Sequence, residues 1–105
     1  MTLKIVAVTA CIAGIAHTYM AEANLKKYAK KKGYDIKVET QGSMGVENRL
    51  KQQEIDDADI IIFAVDTNVS DSDRFEGKKI FKIGTSEVVK DGAIAIDQAV
   101  ALIKK

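Results

Sequence analysis

Residues 3–18 read LKIVAVTACIAGIAHT, and the fold turns on how this stretch is divided. Leu3, Ile5, Val6, Ala7 and Val8 form a run rich in β-branched residues, broken only by Lys4. Its length and continuity are those of a strand buried on both faces of a parallel sheet. The run stops at Thr9 and Ala10. From Ile12 to Ala16 the residues are small or apolar around Gly14, and beyond Ala16 the apolar period becomes helical. The segment therefore reads strand, tight loop, helix. The first N–H groups of a helix lack intrahelical partners and carry the positive end of its dipole, so such a loop suits an anion, above all phosphate. The only cysteine of the chain, Cys11, stands at its mouth. A thiolate there is stabilised by the same N–H groups.

The chain of 105 residues is 47% hydrophobic and 30% charged, which fits one domain over residues 1–105 with a single core. A formal net charge of +1 offers no field for nucleic acid or anionic lipid. The apolar stretch from Ile5 to Ala16 is too short to span a bilayer, so direct membrane insertion is not expected. One cysteine forms no internal disulfide, and a single histidine leaves no metal-ligand cluster. A reducing cytoplasmic setting, with no metal and no cofactor, is the expectation.

Beyond the opening stretch, strands and helices alternate without a repeat and without proline. A first helix is predicted from about Ala16 to Lys32, with Ala21, Leu25, Tyr28 and Ala29 on the core face, Glu22, Lys26, Lys27, Lys30 and Lys31 toward water, and Gly33 as its stop. Tyr34, Ile36 and Val38 alternate with Asp35, Lys37 and Glu39, the period of a half-exposed strand at a sheet edge. A loop through Gly42 and Gly45 and a helix of two to three turns then lead to Ala58–Val65, apolar on both faces like a central strand. Asp66–Gly77 reads as a polar loop with at most a short helix, Lys79–Ile83 as a short fourth strand, and about Gly92–Ile103 as a closing helix with Ile96, Ala99, Val100 and Ile103 on one face. The pattern implies an α/β fold with a four-stranded parallel sheet in the order 2-1-3-4, helices on both faces, and the phosphate-binding loop after strand 1. Strands 1 and 3 then leave the sheet in opposite directions. The crevice between their carboxyl ends, near Cys11 and Asp66, is where open α/β sheets bind ligands.

These residues resemble the cytoplasmic IIB components of the fructose type in the bacterial phosphoenolpyruvate-dependent sugar phosphotransferase system. The signature of that family is cysteine followed by Pro-Thr-Gly-Ile-Ala-His-Thr; here Cys11 is followed by Ile12, Ala13, Gly14, Ile15, Ala16, His17 and Thr18. Similar stretches recur at Tyr19-Met20-Ala21, Val38-Glu39-Thr40-Gln41-Gly42 and Asp73-Arg74-Phe75-Glu76-Gly77-Lys78, so the likeness covers essentially the whole chain. Ile12-Ala13 replaces Pro-Thr, which removes a rigid φ and a hydroxyl but leaves the backbone N–H groups. The resemblance implies that Cys11 accepts a phosphoryl group from a phosphohistidine on a IIA domain. Cys11 then passes it to a hexose, fructose above all, bound by the membrane IIC component. Residues 12–18 would cradle the phosphate.

Elementary chemistry agrees with that role. A thiolate is a competent nucleophile and a thiophosphate a reactive donor. A helix terminus lowers a thiol pKa of about 8.5 by at most about one and a half units. Direct N–H bonds from residues 13–18 would have to supply the rest. His17 either orients an incoming phosphate or is an exposed residue of the first helical turn. Thr18 is a local cap or a ligand. Asp66 reads as a loop residue rather than an acid, Arg74 as a salt-bridge partner rather than a phosphate ligand, and the lysines of the first helix as a solvated face. The competing function is a small cysteine phosphatase. That chemistry needs an arginine six residues after the cysteine to grip phosphate bidentately, and His17 stands there instead.

Overall fold

The computed structural model describes residues 3–10, 15–42, 45–65, 69 and 72–102. Strand β1, Lys4–Ala10, is buried at six of its seven residues, as its apolar run requires. It pairs in parallel with β2, Asp35–Gly42, on one side and with β4, Ile60–Val65, on the other. β5, Ile80–Ile83, adds in parallel to β4. A short strand β3, Gly45–Glu47, pairs antiparallel with the end of β2, so that Gly42 faces Gly45.

The sheet is therefore five-stranded and mixed, in the order β3-β2-β1-β4-β5, rather than a four-stranded parallel sheet. The correction lies at β3. Three residues are too few to show a period, and the glycines at both ends read as loop. Only residues 43–44 separate the paired glycines, as in a two-residue hairpin. β2 consequently loses its edge character at its carboxyl end, where Val38, Glu39, Thr40 and Gln41 are all buried.

Helices cover both faces. On one side α1, Ile15–Lys31, lays Ala21, Leu25 and Ala29 over Ile5, Ala7, Val38, Ile60 and Ile62. The same core receives Val88 from α3, Thr85–Lys90, and Ala95, Ile96, Ala99 and Val100 from α4, Gly92–Ala101. On the other side Leu50, Ile55 of α2 (Gln52–Asp57) and Phe75 of the 3₁₀ turn Ser72–Phe75 close over Val6, Val8, Ile61 and Phe63. Phe63 and Phe75 meet edge to face, with centroids 5.0 Å apart.

The ends of α1 follow the sequence closely. Its last turn carries Lys30 and Lys31, which suit the negative end of the dipole, and Gly33 adopts a φ of +78° just beyond. α2 is shorter than the predicted two to three turns, at six residues. α3 was not predicted, because its six residues give no readable period; long-range bonds hold it instead. The Asn24 side-chain amide of α1 donates to the carbonyls of Val88 and Val89 at 3.0 and 2.9 Å, satisfying the end of α3. The closing helix begins at Gly92 as expected, with Asp91 capping it by accepting from the Ile94 N–H at 3.2 Å. Its predicted last residue, Ile103, lies outside the described residues.

Gly92 marks the closest approach of α4 to α1. A Cβ at this position would lie 2.8 Å from Tyr28 Cδ2 and 3.1 Å from the Asn24 carbonyl oxygen. Gly92→Ala is expected to destabilise the fold by about 1–3 kcal/mol despite alanine's better helix propensity, because backbone and ring must both give way. Urea denaturation of the two proteins checks the sign.

Candidate functional site

The carboxyl ends of β1 and β4 lie side by side, with Ala10 opposite Val65. From β1 the chain proceeds through α1 to β2 on one flank. From β4 it proceeds through the 3₁₀ turn to β5 on the other. This is the switch point at which open α/β sheets form a ligand crevice. Cys11 follows Ala10 directly. Cys11, Ile12, Ala13 and Gly14 lie outside the described residues, as does Asp66. Ile15, Ala16, His17 and Thr18 form the first turn of α1, one residue earlier than the predicted helix start. At most four residues thus separate strand from helix. The first turn itself contains no acidic residue.

Buried polar side chains cluster at the carboxyl end of β2. Glu39, level with Val8 of β1, is 0% exposed. Its carboxylate is held by the Arg74 guanidinium as a fork: Nη1 donates to Oε1 at 2.8 Å and Nη2 to Oε2 at 2.9 Å. The Leu50 N–H donates to Oε1 at 2.8 Å, and the Gln41 amide donates to Oε2 at 2.7 Å. Arg74 also donates to the Leu50 carbonyl at 3.2 Å and lies over the Phe75 ring. Burial pushes the Glu39 pKa up, but the bonds from Arg74, Leu50 and Gln41 outweigh it and hold the carboxyl below its usual range.

The structure assigns Arg74 to this ion pair, as the sequence suggested. It corrects Glu39, whose place in an alternating strand had pointed to solvent. The available signal was the polar run Glu39-Thr40-Gln41, which breaks the alternation where the strand enters the crevice. On the opposite face of the sheet the Thr9 and Thr40 side chains are buried side by side. At the rim, the Tyr19 hydroxyl of α1 donates to Glu47 of β3, and this bond raises the tyrosine pKa. At the other end of the strands, Lys4, Asp35, Lys37, Glu54 and Asp57 line an open cleft of about 310 Å³. Lys37 is bonded there to Glu54 at 2.6 Å, and the cleft lies at the amino end of the sheet, away from the switch point.

The fold defines an open α/β domain with a switch point between β1 and β4. Residues 6–98 match the family model described as the lactose/cellobiose-specific IIB subunit of the phosphotransferase system. The chain is 48% identical over 87 residues to the fructose-like EIIB component 2 of Escherichia coli K12, covering 83% of this chain and 82% of that protein. It is likewise 48% identical over 99 residues to the fructose-specific EIIB'BC component of Rhodobacter capsulatus, of which it spans 17% of the length. A crystal structure of a domain of the fructose-specific IIABC component of Borrelia burgdorferi superposes with a TM-score of 0.91 at 46% identity, covering 96% of each chain.

The chain belongs to the IIB family of the sugar phosphotransferase system, and its relatives near half identity are of the fructose type. Among the described residues no helix is long and apolar enough to cross a membrane.

The buried pair gives a pH-dependent prediction. The folded pKa of Glu39 is depressed, so its stabilising contribution is present above the ordinary carboxylate range and is lost as pH falls through the folded value. Arg74→Leu strands the carboxylate in the core and is expected to cost about 3–5 kcal/mol at neutral pH. The deficit relative to the wild type should shrink on acidification, since a protonated Glu39 no longer needs the guanidinium. Urea denaturation at neutral and acidic pH reads this, and a pH-independent deficit would contradict it.

Proposed function

We propose that Cys11 is the covalent phosphoryl carrier. A phosphohistidine on a IIA domain is the donor, and a hexose bound by the membrane IIC component, fructose above all, is the acceptor. The observation that carries this reading is the position of the lone cysteine in the chain, immediately after the central strand and four residues before the first residue of α1, at the switch point of the sheet. The nucleophile attacks phosphorus in line, the P–N bond to the donor histidine breaks, and a P–S bond forms. In the second transfer a sugar hydroxyl attacks phosphorus, an O–P bond forms as the P–S bond breaks, and the hydroxyl proton is released, so that the sugar phosphate departs and the thiolate returns.

The work of the loop is positioning and charge stabilisation. N–H groups of Ile12, Ala13, Gly14, Ile15, Ala16, His17 and Thr18 are proposed to face the phosphoryl oxygens. The names of the relatives support the sugar and the membrane partner. The Rhodobacter capsulatus protein joins B and C components in one chain and is called fructose-specific. A IIA donor follows from the phosphocysteine chemistry, which needs a high-energy phosphoryl source. The protein then acts at the cytoplasmic face of the membrane, where IIC presents its sugar.

The lack of an arginine at residue 17 favours a carrier over a phosphatase, since nothing in that position grips a phosphomonoester bidentately. Incubation with phosphoenolpyruvate, the general phosphotransferase proteins and a fructose-type IIA domain should add one phosphate to the intact mass. Cys11→Ala should abolish the gain, and Cys11→Ser should slow it severely. Aryl phosphates should be turned over negligibly. Phosphate uptake by Cys11→Ala, or steady Cys11-dependent release of a phenol, would contradict the carrier reading.

A further inference from the structure

The outward face of α1 divides into two halves. Tyr19 and Met20, 36% and 49% exposed, lie near its start together with the exposed Ala23. Lys27, Lys30 and Lys31 are all exposed and follow on the same face at helical spacing. α1 runs back between the parallel strands β1 and β2, so its apolar half borders the carboxyl end of the sheet, where the switch point lies. From Met20 the face extends about 16 Å to Lys31.

The core uses neither half, yet both are held in place. The Tyr19 hydroxyl donates to Glu47 of β3, which fixes the ring at the surface. Neighbouring carboxylates take the lysines that flank the patch: Glu22 pairs with Lys26 at 3.2 Å and Asp97 of α4 with Lys32 at 2.5 Å. Lys27, Lys30 and Lys31 form no ion pair among the described residues. The Tyr28 ring, half-buried against the start of α4, has Lys27 Nζ and Lys31 Nζ at 5.4 and 5.6 Å from its centroid. Two ammoniums on one ring repel each other, and a carboxylate placed beside both offsets that repulsion.

An apolar centre with a charged border is the anatomy of a protein–protein interface. A lipid surface would need bulky apolar side chains among the lysines, and none stands there, since Tyr28 packs inward and Ala29 is buried. Of the two protein partners in the proposed relay, the acceptor sits in the membrane, and the cytoplasmic loops of membrane proteins carry an excess of Lys and Arg. A basic face is repelled there, which leaves the donor. We infer that the outward face of α1 docks the phosphoryl-donor domain through an apolar spot bordered by carboxylates on that domain, with Tyr19 and Met20 at the centre and Lys27, Lys30 and Lys31 at the rim. The inference rests on the carrier reading of Cys11.

The test uses the 105-residue chain carrying Met20→Ala, Lys27→Glu or Lys30→Glu. Lys82→Glu makes the same charge change on the opposite side of the sheet, level with Phe63. KM and kcat for a phosphorylated fructose-type IIA domain are read from phosphate uptake at low and at physiological salt. Each α1 variant should raise KM about fivefold or more, while kcat, the melting temperature and iodoacetamide alkylation of the single cysteine stay at wild-type values. The effect of the two lysine variants should shrink as salt is added, and Lys82→Glu should leave KM within about twofold of wild type. An unchanged KM in the α1 variants, an equal rise in Lys82→Glu, or a fall in kcat at constant KM overturns the inference. So does binding to phosphatidylglycerol vesicles that the lysine variants lose while keeping the wild-type KM. If the wild-type chain takes up no phosphate, the carrier reading fails by itself. NMR titration of the isotope-labelled chain with the unphosphorylated IIA domain then decides the docking face: amide shifts along residues 19–31 uphold it, and shifts confined to α2, or none, overturn it.

Discussion

A strand that is apolar on both faces cannot face water on either, and the architecture follows from that constraint on β1. Six buried residues between two parallel neighbours require helices above and below the sheet. The two cores form around it: Ile5 and Ala7 point into one, Val6 and Val8 into the other. Parallel neighbours also require crossover connections, so the chain must leave β1 through a helix rather than a hairpin. Cys11 stands at the start of that departure. The constraint that builds the core thus also fixes where a helix begins next to the end of the central strand.

The carboxyl end of the sheet departs from this apolar rule in a structured way. On the α2 face, Glu39 brings a charge into the core and has it satisfied from four directions by Arg74, Leu50 and Gln41. The arrangement ties β2 to the 3₁₀ turn that follows β4, so the two flanks of the crevice are joined beneath its mouth. On the α1 face, the Thr9 and Thr40 hydroxyls have no hydrogen-bond partner among the described residues. Buried ion pairs add little net stability over apolar packing, but they fix geometry.

Long periodic elements were legible in the sequence, and short ones held by distant partners were not. α1, α4, β1 and β4 carry their own pattern, whether 3.6-residue spacing or an unbroken apolar run. β3 and α3 carry none: three residues find their place by pairing with Gly42, Gln41 and Thr40, and six by receiving Asn24. The switch point was legible because two continuous apolar strands could be placed between two more polar ones. Glu39 was not, since alternation says which residues share a face and is silent on whether that face is later covered. Here Leu50, Arg74 and Phe75 cover it. Arg74 was read correctly as an ion-pair partner, although its carboxylate lies 35 residues away.

The proposed carrier is the only cysteine, in the stretch between Ala10 and Ile15, while the only histidine follows in the first turn of α1. Both residue types can carry phosphate, one as a thiophosphate and one as a phosphoramidate. Phosphorus NMR of the phosphorylated chain distinguishes them directly, because a phosphorus bonded to sulfur resonates far from one bonded to nitrogen. The account predicts a single protein resonance in the thiophosphate region, retained in His17→Ala and absent in Cys11→Ala. A phosphoramidate resonance that persists in Cys11→Ala and disappears in His17→Ala would contradict it.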